Sequence, residues 1–186
     1  MKLFKHFLLM SAVAGSMMFA SCSKETPANN TNTGGTVGRI VCKVNGTSWT
    51  SDAPDKFYYP AGDTIPGTIA TLVNGELMIQ GNRIVGTDSS AVVMNLVLTP
   101  AKTGKYEGTF SASAADGALY LPNRDIMSLL TIVMGYTNTY SVTLTKVDTS
   151  NKLVSGVFTI TMKAPAGQGL PDYTITEGSF TDVKIN

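Results

Sequence analysis

Carboxylates are frequent among the side chains that could carry out acid–base chemistry, whereas histidine is nearly absent. The chain has 13 aspartates and glutamates but one histidine, His6. Hydrolases with a serine or cysteine nucleophile need an imidazole that takes and returns a proton near neutral pH. The usual zinc, copper and non-haem iron sites also rely on imidazole ligands. Because His6 lies in a segment that is predicted below to be removed, we expect neither kind of enzyme and none of these metal sites.

Paired carboxylates need no histidine, so glycoside hydrolysis is the enzymatic alternative. It requires two acids roughly 5 to 10 Å apart, one of them with a raised pKa. Most aspartates lie beside Gly, Pro, Ser or Asn in predicted turns, where Asp is favoured because it bonds to the backbone. They also lack the spacing of a known calcium loop. We therefore expect a non-enzymatic protein without a cofactor; the candidate carboxylates are Asp52, Asp55, Asp63, Asp88, Asp116, Asp125 and Asp172.

Three aromatic residues are the candidate ligand contacts. Trp49 is the only tryptophan and follows a predicted turn at Asn45-Gly46. An exposed indole could stack on a sugar, but a single tryptophan near the start of a strand more often plugs one end of a core, and we favour the plug. Tyr58 and Tyr59 form a second aromatic cluster. The partner that these residues suggest is a glycan or, for a chain exported as the first residues predict below, a protein of the cell envelope.

Residues 1–21 have the pattern of a bacterial lipoprotein signal peptide. Lys2 and Lys5 precede an apolar stretch of 14 residues, 7–20, which as a helix spans roughly 21 Å and is too short for a membrane core of roughly 30 Å. The sequence Phe19-Ala20-Ser21-Cys22 resembles the lipobox, in which the cysteine is acylated and becomes the new amino terminus. Two or three acyl chains anchor a protein firmly. We therefore expect attachment to a membrane through lipid on Cys22.

A tether of residues 22–36 and a single β domain of residues 37–186 are predicted to follow. Residues 23–36 contain no aromatic or large aliphatic side chain, so they cannot bury enough surface to fold. A coil of this length spans about 20 Å. With Cys22 acylated, Cys42 has no disulfide partner, and its alternation with Ile40 and Val44 places the thiol in the core.

The domain has the alternating pattern of β-strands. Tyr140, Val142 and Leu144 alternate with polar residues, so that one face is buried and the other is exposed. We predict an all-β fold, an antiparallel β-sandwich or a partly open β-barrel of about nine or ten strands. The predicted strands include 40–44, 68–73, 77–80, 92–98, 106–110, 129–136, 153–162 and 173–185, and the predicted turns are Asn45-Gly46, Asn74-Gly75, Asp116-Gly117 and 148–151.

Two further patterns concern the interior. A glycine precedes a phenylalanine by two residues at Gly108, Gly156 and Gly178, which indicates a bulge or a close approach between strands. A barrel would also permit a carrier of a small apolar ligand, with an interior lined by Met94, Leu96, Met134 and Met162. This carrier is the second alternative to a binding or structural accessory.

The charge balance leaves no electrostatic footprint for nucleic acid. The chain has 14 basic and 13 acidic residues, with no segment that concentrates lysine or arginine. Nucleic-acid binding proteins carry a basic patch because phosphate contacts dominate their affinity. We therefore expect no nucleic-acid partner.

Three segments resemble a family of small Bacteroidota lipoproteins of unknown function. They are VNGTSW near the start of the domain, and NKLVSGVFTITMKAP and YTITEGSFTDVKI near its end. The resemblance implies an anchored all-β protein of the cell envelope, held at the periplasmic or outer face of the outer membrane. It implies no catalytic residues. Asp63-Thr64-Ile65 also resembles the O-glycosylation triplet of envelope proteins from this phylum, which makes Thr64 a candidate glycosylation site.

Overall fold

The structure, a computed structural model, describes residues 37–54, 66–85, 88–98, 102–110, 116–123 and 135–186. These residues form ten β-strands and almost no helix, so the predicted all-β fold is confirmed. In the described part of the chain, no helix is long and apolar enough to span a membrane. The strands are β1 (Ile40–Val44), β2 (Thr47–Thr50), β3 (Thr68–Val73), β4 (Glu76–Val85), β5 (Asp88–Val97), β6 (Gly104–Phe110), β7 (Gly117–Leu121), β8 (Thr137–Asp148), β9 (Leu153–Lys163) and β10 (Tyr173–Lys184).

The strands form two antiparallel sheets. The larger has the order β2-β1-β10-β9-β8-β6, and the smaller has the order β3-β4-β5-β7. The hydrogen-bonded ladders of the described strands do not close into a ring. Of the two predicted architectures, the sandwich is therefore confirmed rather than the barrel. The chain end links the two sheets, because the Asn186 amide donates to the Ala70 carbonyl over 2.9 Å.

Most turns follow the predicted residues, but one does not. Asn45-Gly46 and Asn74-Gly75 both have positive φ, and Lys152 at 55° completes the turn after Asp148. The turn predicted at Asp116-Gly117 is wrong, because Gly117 is the first residue of β7. An alanine Cβ at that position would clash with the Phe110 side chain, so packing favours glycine there.

One predicted strand lies largely outside the described residues. Of residues 129–136, the structure describes Gly135 and Tyr136, and neither belongs to a strand. Tyr136 is buried, and its hydroxyl donates to the Pro171 carbonyl over 2.9 Å. The prediction is therefore wrong for these two residues, where a side-chain bond to a neighbouring loop takes the place of a ladder.

A continuous core lies between the sheets. It is built from the inward-facing residues of nearly every strand, with Ile40, Ile160 and Phe180 among the fully buried side chains. Met94, Leu96 and Met162 are also fully buried in this core, whereas Met134 lies outside the described residues. These side chains pack against one another where the carrier alternative would place its ligand.

The repeated glycine–phenylalanine pairs interlock across two strands. Gly156 on β9 pairs with Phe180 on β10, and Gly178 on β10 pairs with Phe158 on β9. A Cβ at Gly156 would lie 2.6 Å from the Phe180 ring, and one at Gly178 would lie 2.7 Å from the Phe158 ring. Each phenylalanine thus covers the glycine of the neighbouring strand, and the predicted close approach is confirmed.

Asn138 places an amide in the core. It is fully buried on β8, between Phe110 of β6 and Met162 of β9. Neither its amide nitrogen nor its oxygen has a hydrogen-bond partner among the described residues. An unsatisfied buried polar group costs about 1–3 kcal/mol of stability.

Replacing Asn138 with leucine should therefore stabilise the protein. We expect the free energy of unfolding to rise by about 1–2 kcal/mol, since leucine branches at the same carbon as asparagine and has no polar atoms to desolvate. Urea denaturation followed by circular dichroism measures the change. Asn138→Asp is the matched variant and should destabilise, because it buries an unpaired charge. A loss of stability in Asn138→Leu would contradict the prediction.

Candidate functional site

Of the five residues predicted to take part in lipid attachment, ligand contact or glycosylation, the structure describes Trp49. Cys22, Tyr58, Tyr59 and Thr64 lie outside the described residues. Their roles remain predictions.

Trp49 closes the core between the two sheets. Its side chain is 3% exposed and meets Tyr120 edge to face, with the ring centroids 6.5 Å apart. The indole Nε1 donates to the Ser90 hydroxyl over 2.9 Å. An indole buried on its faces and bonded at its nitrogen is a plug, and it does not present a stacking platform for a sugar.

Trp49 also forms one wall of a depression between the sheets. The depression has a volume of about 320 Å³. Trp49 comes from β2 of the larger sheet, and the other walls come from β4, β5, β7 and the residue after β7. We call this depression the Arg83 pocket; its lining residues are Trp49, Arg83, Val85, Ser89, Ser90, Tyr120 and Pro122.

The Arg83 pocket arises because one face of two paired strands changes from apolar to polar. On β4 and β5, the paired residues Ile79 and Met94 face the core. Strand alternation places Arg83, four residues after Ile79, on the same face, opposite Ser90. The inward face of this hairpin therefore ends in a guanidinium and a hydroxyl at the edge of the core.

Arg83 has no counter-ion among the described residues. It is half-buried, and no hydrogen bond or ion pair of its guanidinium occurs in that part of the chain. Its positive charge acts on Tyr120: burial raises the pKa of Tyr120, while a hydrogen bond from Ser90 and the charge of Arg83 partly oppose the increase. The Ser90 hydroxyl, which accepts from the Trp49 nitrogen, therefore lies beside both Arg83 and Tyr120 in the lining of the pocket.

A row of three tyrosines begins at the pocket with Tyr120 and continues through Tyr173 to Tyr136. The rings of Tyr120 and Tyr173 lie 5.3 Å apart, and those of Tyr173 and Tyr136 lie 6.3 Å apart. Burial raises the pKa of Tyr173 and of Tyr136. All three phenols are therefore neutral near pH 7, and their rings pack together beside the pocket.

The candidate carboxylates that the structure describes bond to the protein itself. Asp52 accepts from the Ile84 amide over 2.8 Å, and Asp116 accepts from the Tyr140 hydroxyl over 2.9 Å. Burial and the bond to Asp116 raise the pKa of Tyr140 to about 12. Bonds from Lys163 and from the Ala164 amide lower the pKa of Asp172. Each of these three carboxylates stabilises a strand or turn, and no two of them share a partner in these bonds.

The other candidate carboxylates lie beyond what the structure describes. Asp55, Asp63 and Asp125 are outside the described residues, and for Asp88 the backbone alone is described. Over the described ranges, no group of three histidine, cysteine or acidic side chains could hold a metal ion.

Cys42 is a packing residue, as its alternation predicts. It lies on β1 opposite Trp49 and is buried. Burial raises the pKa of its thiol to about 12. The thiol is therefore protonated at physiological pH, which makes it a poor nucleophile.

A second depression of about 320 Å³ lies on the outer face of the larger sheet. Hydroxyls dominate this face because outward positions on neighbouring strands pair in register, as Thr139 pairs with Thr161 and Ser141 with Thr159. Threonine is favoured at exposed strand positions. The face is therefore explained by the strand composition.

The sequence reasoning missed Arg83, Ser90 and Tyr120. The sequence did contain a signal for Arg83 and Ser90. Both are polar residues at inward positions of the two-residue alternation, in strands whose other inward residues are apolar. Comparison with models of protein families, with curated proteins and with solved structures found no match to this chain.

Proposed function

We propose that this chain is a lipid-anchored protein of the bacterial cell envelope, held at the outer membrane, where it serves as a non-enzymatic binding or structural accessory. The observation that carries the proposal is the lipobox-like Phe19-Ala20-Ser21-Cys22, followed by a segment without large apolar residues and then a domain with its own core. The near absence of histidine supports a non-enzymatic role. The resemblance to Bacteroidota lipoproteins supports the location.

Lipid attachment is tested by a pair of cysteine variants. Cells that carry a lipoprotein pathway would express the wild type, Cys22→Ala and Cys42→Ala in the presence of radiolabelled palmitate. We expect label in the wild type and in Cys42→Ala, and none in Cys22→Ala. The mass of the purified wild type should show that residues 1–21 are absent and that acyl chains are present.

Cys42→Ala is the matched control, because Cys42 is the only other cysteine and is buried in the folded domain. Label that persists in Cys22→Ala would overturn the proposal. An unlabelled wild type that retains its leader would overturn it as well.

A further inference from the structure

We infer that the Arg83 pocket binds one acidic sugar ring, with Arg83 pairing the carboxylate of the sugar. This inference rests on the proposed function as a binding protein and names the class of its ligand.

The first step concerns charge. Arg83 is half-buried between two sheets, and its guanidinium has no anionic partner among the described residues. A charge that is partly removed from water without a partner reduces stability. A ligand anion would offset this cost, and a planar guanidinium fits a carboxylate through two parallel hydrogen bonds.

The second step concerns the walls. The Ser90 hydroxyl is fixed by the Trp49 nitrogen, and Ser90 lines the pocket opposite Arg83. Tyr120 and Pro122 supply apolar surface, and Val85 at the rim is 58% exposed. A pyranose presents both hydroxyls and an apolar C–H face, so it complements this mixture. A fatty acid could pair Arg83 through its carboxylate, but it would place only methylene groups against the Ser90 hydroxyl.

The third step concerns size. A volume of about 320 Å³ is at the lower end of the roughly 300–1,000 Å³ that small-molecule sites occupy. It accommodates a single ring. Because the depression is open to solvent, the ring could belong to a longer chain whose other units lie outside.

Tryptophan fluorescence tests the inference directly, because Trp49 is the only tryptophan and lines the pocket. The full-length protein, purified in a non-ionic detergent, would be titrated with D-glucuronate, D-glucose and decanoate. We expect a saturable change with glucuronate and at least tenfold weaker binding of glucose and of decanoate. Arg83→Gln should weaken glucuronate binding at least tenfold, and Arg83→Lys should weaken it less.

Arg39→Gln is the matched control. Arg39 is also half-buried and without an ion pair among the described residues, but it does not line the pocket. It should bind glucuronate as the wild type does. The urea midpoint of each variant, followed by circular dichroism, establishes that the proteins compared are folded.

Three results would overturn the inference. Glucose could bind as tightly as glucuronate, decanoate could bind more tightly, or Arg83→Gln could bind glucuronate unchanged. Glucuronate binding that appears in Asp88→Asn but not in the wild type would also overturn it. Asp88 would then be the counter-ion of Arg83 in the wild type. None of these results affects palmitate labelling at Cys22, so the anchoring proposal is tested separately.

Discussion

Replacing Gly156 with alanine is expected to lower the free energy of unfolding by about 2–4 kcal/mol, and Gly178→Ala should have an effect of the same size. The added Cβ at Gly156 would lie 2.5 Å from the Thr143 carbonyl oxygen and 2.6 Å from the Phe180 ring. Backbone occupies one side of this contact, so the clash cannot be relieved by a side-chain rotation alone. Strands β8, β9 and β10 must separate locally, and the centre of the larger sheet then loses packing.

The two glycines should also be coupled. Phe180 covers Gly156 and Phe158 covers Gly178, and the two rings lie 6.3 Å apart in the core. A shift of one ring therefore disturbs the other, and the double variant should lose less stability than the sum of the single losses.

Gly135→Ala is the control for the glycine variants. A Cβ there would meet Pro165 at 3.4 Å, an ordinary contact, and the backbone is outside the left-handed region. We expect a change within about 0.5 kcal/mol. Urea denaturation at equilibrium gives all the values. If Gly156→Ala and Gly178→Ala were as stable as Gly135→Ala, the close packing of β9 and β10 would be contradicted.

The strands of the larger sheet were predictable because their signals are local. In β8 and β9, inward residues such as Tyr140 and Ile160 alternate with threonine and serine over long stretches. Turn residues with positive φ, such as Asn45 and Asn74, then mark where strands end. Both signals depend on a few neighbouring residues, so they can be identified without knowing the fold.

The missed strands lack such signals. β7 is buried at all five positions, so it shows no alternation, and its initial Gly117 suggests a turn. β2 has four residues and follows a turn directly. The order of the sheets also depends on distant pairings, as between Ile40 and Phe180, which no local pattern encodes.

The candidate site was predictable only in part for the same reason. The burial of Trp49 follows from its type and from its position after a turn. The pocket beside it requires the register that sets Arg83 opposite Ser90, and it requires β2 to bring Trp49 over the other sheet. Arginine and serine in a sequence are usually surface residues, so their inward placement becomes visible only when the two strands are paired.

Replacing Trp49 with alanine is expected to lower the free energy of unfolding by about 3–5 kcal/mol, the usual cost of deleting a large buried ring. The indole fills the space between Tyr120 and the edge of the larger sheet, and it bonds to Ser90. Its loss opens a cavity and leaves the Ser90 hydroxyl with one partner fewer. Circular dichroism during urea denaturation measures the effect, since the variant has no tryptophan to monitor by fluorescence.

Trp49→Phe separates packing from hydrogen bonding. Phenylalanine retains an aromatic ring against Tyr120 but lacks the donor to Ser90, so we expect a loss of about 1–2 kcal/mol. Ser90→Ala removes the acceptor and should cost about 1–2 kcal/mol for the same bond. A Trp49→Ala variant as stable as the wild type would mean that the ring does not plug the core. Trp49 would then be interpreted as an exposed ring on which a sugar could stack.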